Sequence, residues 1–182
     1  ETVLPTIITH SVIAASSAYG FSRGRETVKL VLLSIACSLL PDADVVGYHW
    51  LYIPSYSFFG HRGFFHSPFF AALLSIVIVC IFFRKEAIFS KQWWKYVLYF
   101  FMVGASHGLL DAMTNGGNGI ALLSPITNNR YFLPWTPIEV SPLSIQSFLS
   151  QRGLSVLISE LIWIWVPLSL ILVFFRTRKK ND

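Results

Sequence analysis

The stretch SPFFAALLSIVIVCIFF, residues 67–83, carries no charged side chain and is closed at once by Arg84 and Lys85. As a helix rising 1.5 Å per residue it would run roughly 25 Å, close to the ~30 Å hydrocarbon core of a bilayer. Ser67 followed by Pro68 reads as an N-cap and first helical residue, which leaves His66 just outside the helix. A run of the same kind at residues 154–175 ends in Arg176, Arg178, Lys179 and Lys180. Three weaker runs, at 4–21, 30–46 and 96–113, complete a set of about five predicted transmembrane helices.

The whole chain agrees with this reading. Of its 182 residues, 54% are hydrophobic, 16% aromatic and only 13% charged, too apolar for an ordinary water-soluble domain. The predicted fold is all-α, a single polytopic membrane bundle over residues 1–182. The formal charge of +5 does not point to nucleic acid, because the basic residues fall in short clusters between apolar runs. Cys37 and Cys80 lie inside apolar runs with no disulfide or zinc-ribbon spacing and read as small buried hydrophobes. The first run has no basic residues before it and contains His10, so it reads as part of the mature protein.

Arg23, Arg25 and Lys29 lie between the first two runs, Arg84, Lys85, Lys91 and Lys95 between the third and fourth, and four basic residues follow the fifth. With alternate crossings the positive-inside rule puts all three clusters in the cytoplasm, the N-terminus outside, and the protein in the cell (inner) membrane. Residues 49–63 and the long segment 114–153, rich in Pro, Gly, Tyr and Trp, then become external loops. Counting up each helix from its basic end puts His10 and Asp42 roughly 20 Å deep, His107 about 18 Å, Asp111 and Glu160 about 24 Å and His66 about 27 Å. All fall in the outer half of the bilayer, where an ionisable group needs a partner, a wet cavity or an ion.

The residue types favour an ion, since imidazole with carboxylate is the ligand mixture of zinc and related divalent cations. His107 and Asp111, four residues apart on one helix, point the same way and can chelate one ion or hydrogen-bond to each other. Asp42 and Asp44 would face nearly opposite ways on a regular helix, so their convergence requires irregular backbone, for which Pro41 is suited. One aspartate can then ligate while the other binds a second ion, orients a histidine or simply ends the helix in an acidic group. His61 and His66 would diverge by about 140° on a helix, but the glycines at 60 and 63 allow a loop that folds them together. Arg62 is a candidate anion clamp or an interfacial arginine. His49 sits in aromatic-belt company and is left outside the site. Glu160 reads as a general base, a supporting partner or a hydrogen-bonded acid. The chain has no Walker, dinucleotide or GxSxG motif, which leaves metal chemistry as the main catalytic option.

Thr9-His10-Ser11, Pro41-Asp42-Ala43-Asp44, His61-Arg62 with His66-Ser67, and Ser106-His107 with Asp111 and Thr114 form an ordered set. In this set the chain resembles the LexA-regulated, membrane-bound metal-dependent hydrolases of bacteria and archaea, over helices one to four. The resemblance implies a multi-pass hydrolase with histidine and aspartate ligands and a distant likeness to zinc-dependent phospholipase C. The expectation is hydrolysis of a lipid or lipid-linked phosphoester at the outer leaflet. One or two zinc-like ions would be held by His10, Asp42, His61, His66, His107 and Asp111, with Arg62 on the substrate anion and Asp44 or Glu160 as base. A divalent-ion or proton transporter built on the same cluster, and a scaffold pinned by it, are the alternatives. The sequence leaves oligomeric state, metal identity and head group open.

Overall fold

The computed structural model describes residues 3–4, 6–21, 26–142 and 145–181, without the side chains of residues 3, 4, 48, 49, 145 and 175–181. Arg23 and Arg25, the side chains of the basic residues after 175 and that of His49 therefore lie outside the described residues. In chain order the elements begin with strand β1 (Val3–Leu4), helix α1 (Ile7–Phe21) and helix α2 (Thr27–Leu39). A 3₁₀ turn (Leu40–Ala43) leads into α3 (Asp44–Trp50), and a second 3₁₀ turn (Phe64–His66) into α4 (Pro68–Phe82). Helix α5 (Lys91–Ala112), strand β2 (Ser141–Pro142), α6 (Ile145–Phe148) and α7 (Gln151–Glu160) follow, and a π-helical turn (Leu161–Trp165) joins α7 to α8 (Val166–Asn181).

Local signals explain the boundaries. Ser67 caps α4 by accepting from the Phe70 amide at 3.1 Å, with Pro68 in the first turn. Ser90 caps α5 in the same way, accepting from the Trp93 amide at 3.2 Å, and so starts it earlier than the apolar run at 96–113 indicated. The first helix is shorter than expected because β1 pairs antiparallel with β2, Leu4 opposite Ser141. The second breaks at Pro41, whose ring cannot continue the i to i−4 ladder.

Helical segments thus occupy all five apolar runs. Two continuous stretches, Thr27–Gly47 and Gln151–Phe174, are by themselves long and apolar enough to cross a membrane. Helices α1 and α4, at 15 residues each, would span only about 22 Å, and α5 is long enough but more polar. Large apolar side chains face outward along the bundle, among them Leu73, Val77 and Ile81 on α4 and Leu170, Ile171 and Phe174 on α8. Such continuous outward apolar surface belongs in lipid.

Helices α1, α2, α4 and α5 pack around Phe100, Val79, Leu30, Ala14 and Ala18, all buried. Small residues set the approach: a Cβ on Gly104 would lie 3.2 Å from Ala71 Cβ and 3.6 Å from Cys37 Sγ, so α5 meets α4 and α2 there. The Tyr99 hydroxyl, buried in the same layer, pairs with Ser34 at 2.7 Å and Ser17 at 3.1 Å. Cys37 is buried as expected, but Cys80 points outward because it lies about 100° round α4 from Val79 and further still from Ile78, beyond the buried stripe. Segment 114–142 folds back over one end of the bundle, with the Ala121 amide on Arg62 O at 3.1 Å and the Leu133 amide on Ala112 O at 2.8 Å.

Candidate metal centre

The break after α2 decides the geometry. Because 40–43 is a 3₁₀ turn, Asp42 and Asp44 do not diverge but flank one imidazole. Asp42 Oδ1 lies 3.4 Å from His66 Nε2, and Asp44 Oδ2 lies 3.2 Å from His66 Nδ1. The loop before α4 winds through two tight turns, Gly63 N to Gly60 O at 2.8 Å and His66 N to Gly63 O at 3.0 Å. Between them Arg62 takes φ 62°, a left-handed conformation unfavourable for a side chain of its size. That turn brings His61 and His66 to 5.5 Å between ring centroids, and His61 Nδ1 donates to Asp44 Oδ1 at 2.7 Å.

Helix α5 supplies His107 and Asp111, one turn apart, with Nε2 and Oδ2 separated by 3.8 Å. His107 Nε2 is 3.2 Å from Asp42 Oδ1, and Asp111 Oδ2 is 3.4 Å from His66 Nε2. A Cβ on Gly108 would collide with the His66 carbonyl, so a bare backbone at that position lets the loop and the helix share one site. Helix α1 adds His10, which stacks on His107 at 4.1 Å and brings Nε2 within 3.4 Å of Asp111 Oδ1. Two groups result that can hold an ion, Asp42, His66, His107 and Asp111, and Asp44, His61 and His66, each with one donor atom per residue within 4.8 Å of the others.

The first group fits a tetrahedral zinc-type ion closely. Bonds of about 2.0–2.1 Å at tetrahedral angles put neighbouring donors roughly 3.4 Å apart. The four His–Asp separations among the first group's six measure 3.2, 3.4, 3.4 and 3.8 Å, and all six are within 4.8 Å. Both oxygens of Asp42 and Asp111 and both ring nitrogens of His10, His66 and His107 are buried without an aligned hydrogen-bond partner. Buried polar groups normally find one, and a cation would satisfy one atom of each of Asp42, His66, His107 and Asp111. Charge agrees in sign: Asp42, Asp44 and Asp111 face the Arg62 guanidinium, with Arg130 within reach of Asp44, so the carboxylates outnumber the guanidinium groups and a cation offsets the remainder. The second group competes for the same ring. With its proton on Nδ1, His66 faces Asp44 and turns the Nε2 lone pair toward Asp42, His107 and Asp111, so Asp44 fits the role of orienting carboxylate.

Two expectations are corrected. Arg62 is not an open anion clamp or an interfacial arginine: it is 1% exposed, donates from Nη1 to Gly116 O at 2.9 Å and from Nη2 to Thr114 Oγ1 at 3.2 Å, and sets Nε 3.6 Å from Asp111 Oδ2. Its side chain braces segment 114–116 against the cluster. Glu160 faces α1 instead of the cluster. Its Oε1 accepts from the Thr6 amide at 2.6 Å, and Oε2 accepts from the Thr6 and Thr9 hydroxyls at 2.6 and 2.7 Å. Both oxygens of Asp44 are engaged as well, Oδ2 accepting from the Arg62 amide at 3.2 Å.

The sequence reading gave no supporting role to several residues, although Thr9 and Thr114 stand in its ordered set. Thr114 and the Gly116 carbonyl receive Arg62, and Trp165 Nε1 donates to Thr9 Oγ1 at 2.8 Å. Arg130 pins the histidine loop by donating to His61 O at 2.8 Å and Ser55 O at 2.7 Å, and burial lowers its pKa. Thr114, which follows Asp111 by three residues, had a local signal; Arg130 lies far along the chain and had none.

A family profile described as YdjM inner membrane protein matches residues 5–181. The Inner membrane protein YbcI of Escherichia coli (strain K12) is 32% identical over 182 residues, covering 97% of this chain and 100% of the relative. No solved structure matches.

Proposed function

Because the chain belongs to the YdjM inner membrane protein family, we propose that its buried His/Asp cluster is the metal centre of a membrane-embedded hydrolase acting on a lipid or lipid-linked phosphoester. The observation that carries the proposal is the convergence of Asp42, His66, His107 and Asp111, with His10 beside them, from two helices and two 3₁₀ turns, with contacts between the four donors close to those around a tetrahedral ion. All five side chains are at most 10% exposed. Burying so many ionisable groups without a cation would cost several kcal/mol per charge.

A divalent cation held there supplies Lewis acidity toward a phosphoryl oxygen and an activated water near neutral pH. The protein's own groups do the rest. Asp42, His66, His107 and Asp111 provide the donors, and His10, stacked on His107 and beside Asp111, holds both in place. Asp44 orients His61 through Nδ1 and leaves His61 Nε2, buried and without an aligned partner, to take a proton. Arg62 offsets the Asp111 charge. The site is assigned to the outer leaflet on the strength of the basic clusters, which favour an external N-terminus.

Elemental analysis of purified protein tests this directly. The expected result is about one zinc-like ion per chain in the wild type, lost together with turnover of phospholipids or polyprenyl phosphates in His107→Ala and Asp111→Ala. Full metal content in both variants would remove these residues from the ion, and a wild type that binds no divalent metal would end the proposal.

A further inference from the structure

Two apolar cavities flank the 3₁₀ turn that carries the aspartates, and they differ in what they reach. The larger, about 500 Å³, is lined by Val46, Leu51, Ile53 and Phe70 among others and touches Asp44. It offers no opening to the carboxylate, because the Asp44 side chain is 0% exposed. The smaller, about 350 Å³, lies between the start of α1 and the end of α2 and is lined by Ile7, Ala36, Leu39, Leu40, Asp42 and Ala43. Here the carboxylate is reachable: the Asp42 side chain is 10% exposed, whereas those of His10, Asp44, His66, His107 and Asp111 are 0% and that of His61 is 2%.

Asp42 is thus the cluster's most accessible side chain, and the groove over it is otherwise wholly apolar. Its rim faces outward, with Ile7 59% and Leu40 46% exposed and Ala36 also exposed. In an inner membrane protein an outward apolar rim on a helix pair meets hydrocarbon rather than water. A water-soluble phosphoester gains nothing from such a wall, while a chain-bearing amphiphile can lay its chain along it by van der Waals packing without leaving the hydrocarbon.

We propose that this groove is a lateral portal: the substrate is an amphiphile whose hydrocarbon chain lies between α1 and α2, over Ile7, Ala36 and Leu40, with its head group against Asp42. The catalytic meaning of the portal rests on the hydrolase reading above, since that reading puts the scissile bond at the cluster. Ala36 is the place to test it, because Ala36→Phe fills the groove from an exposed helix position without touching a donor atom.

The probe is a phospholipid with a diazirine near the carbonyl end of one acyl chain, in vesicles holding the full-length protein. The expected result is labelling of peptides containing Ile7 and residues 36–40, reduced about tenfold in Ala36→Phe at unchanged zinc content. The same substitution lowers kcat/KM on the long-chain phospholipid about tenfold relative to a short, water-soluble phosphodiester, mainly through KM. Labelling centred on Val46, Leu51 and Ile53, or spread evenly over the outward helix faces and indifferent to Ala36→Phe, overturns the portal. Groove labelling with no hydrolysis of any substrate by the zinc-loaded protein overturns the hydrolase reading instead and leaves a lipid seat over a metal site.

Discussion

Arg62 shows how far a residue's chemistry can be read without its surroundings. Its position between two histidines at a glycine-flanked turn suggested an anion clamp, but the side chain is buried and its two terminal nitrogens are bonded to segment 114–116. Arg62→Lys should keep the charge beside Asp111 while losing the fork that reaches Thr114 and Gly116 together. The expected outcome is retained metal with a loss of about 1–3 kcal/mol in stability, read by denaturant unfolding in detergent. Unchanged stability with a large drop in kcat would return Arg62 to the substrate. His107 and Asp111 are the opposite case, because their four-residue spacing on a regular helix fixes their common direction whatever surrounds them.

Among the elements, α1 is the one most dependent on a distant partner. Its first turn leaves free N–H groups, and the Thr6 amide finds an acceptor in Glu160 at the end of α7. A carboxylate there is also favoured by the positive end of the helix dipole. Glu160→Ala should orphan the Thr6 amide and two threonine hydroxyls, costing about 1–3 kcal/mol of stability. Metal stoichiometry should stay that of the wild type, since no donor of the cluster contacts Glu160 among the described residues. Loss of turnover at wild-type stability would place Glu160 in the reaction after all. The 3₁₀ turn after α2 was legible in outline from Pro41, because a proline inside an apolar helical run, three residues before Asp44, interrupts the hydrogen-bond ladder. The start of α5 was less so: hydropathy begins at Tyr96, whereas the helix begins where Ser90 can cap it.

For the whole molecule, the cluster makes the ion part of the fold. Removing a bound cation would leave uncompensated negative charge enclosed by four elements. Free zinc at 100 to 1,000 times Kd should therefore stabilise the protein by about 2.7–4.1 kcal/mol, and a chelator should lower the thermal midpoint accordingly. A midpoint indifferent to both would favour a scaffold held by hydrogen bonds alone. The sequence by itself determined where helices form, that the chain suits lipid, and which helix carries which imidazole or carboxylate, because apolar runs, caps and i, i+4 spacing are local properties. Only the tertiary structure decided that Asp42 and Asp44 flank one imidazole, that Arg62 turns inward, that Glu160 serves α1 and that access opens over Asp42. Those outcomes depend on which helices touch and how a loop returns across them, and no local pattern encodes the distance between groups a hundred residues apart.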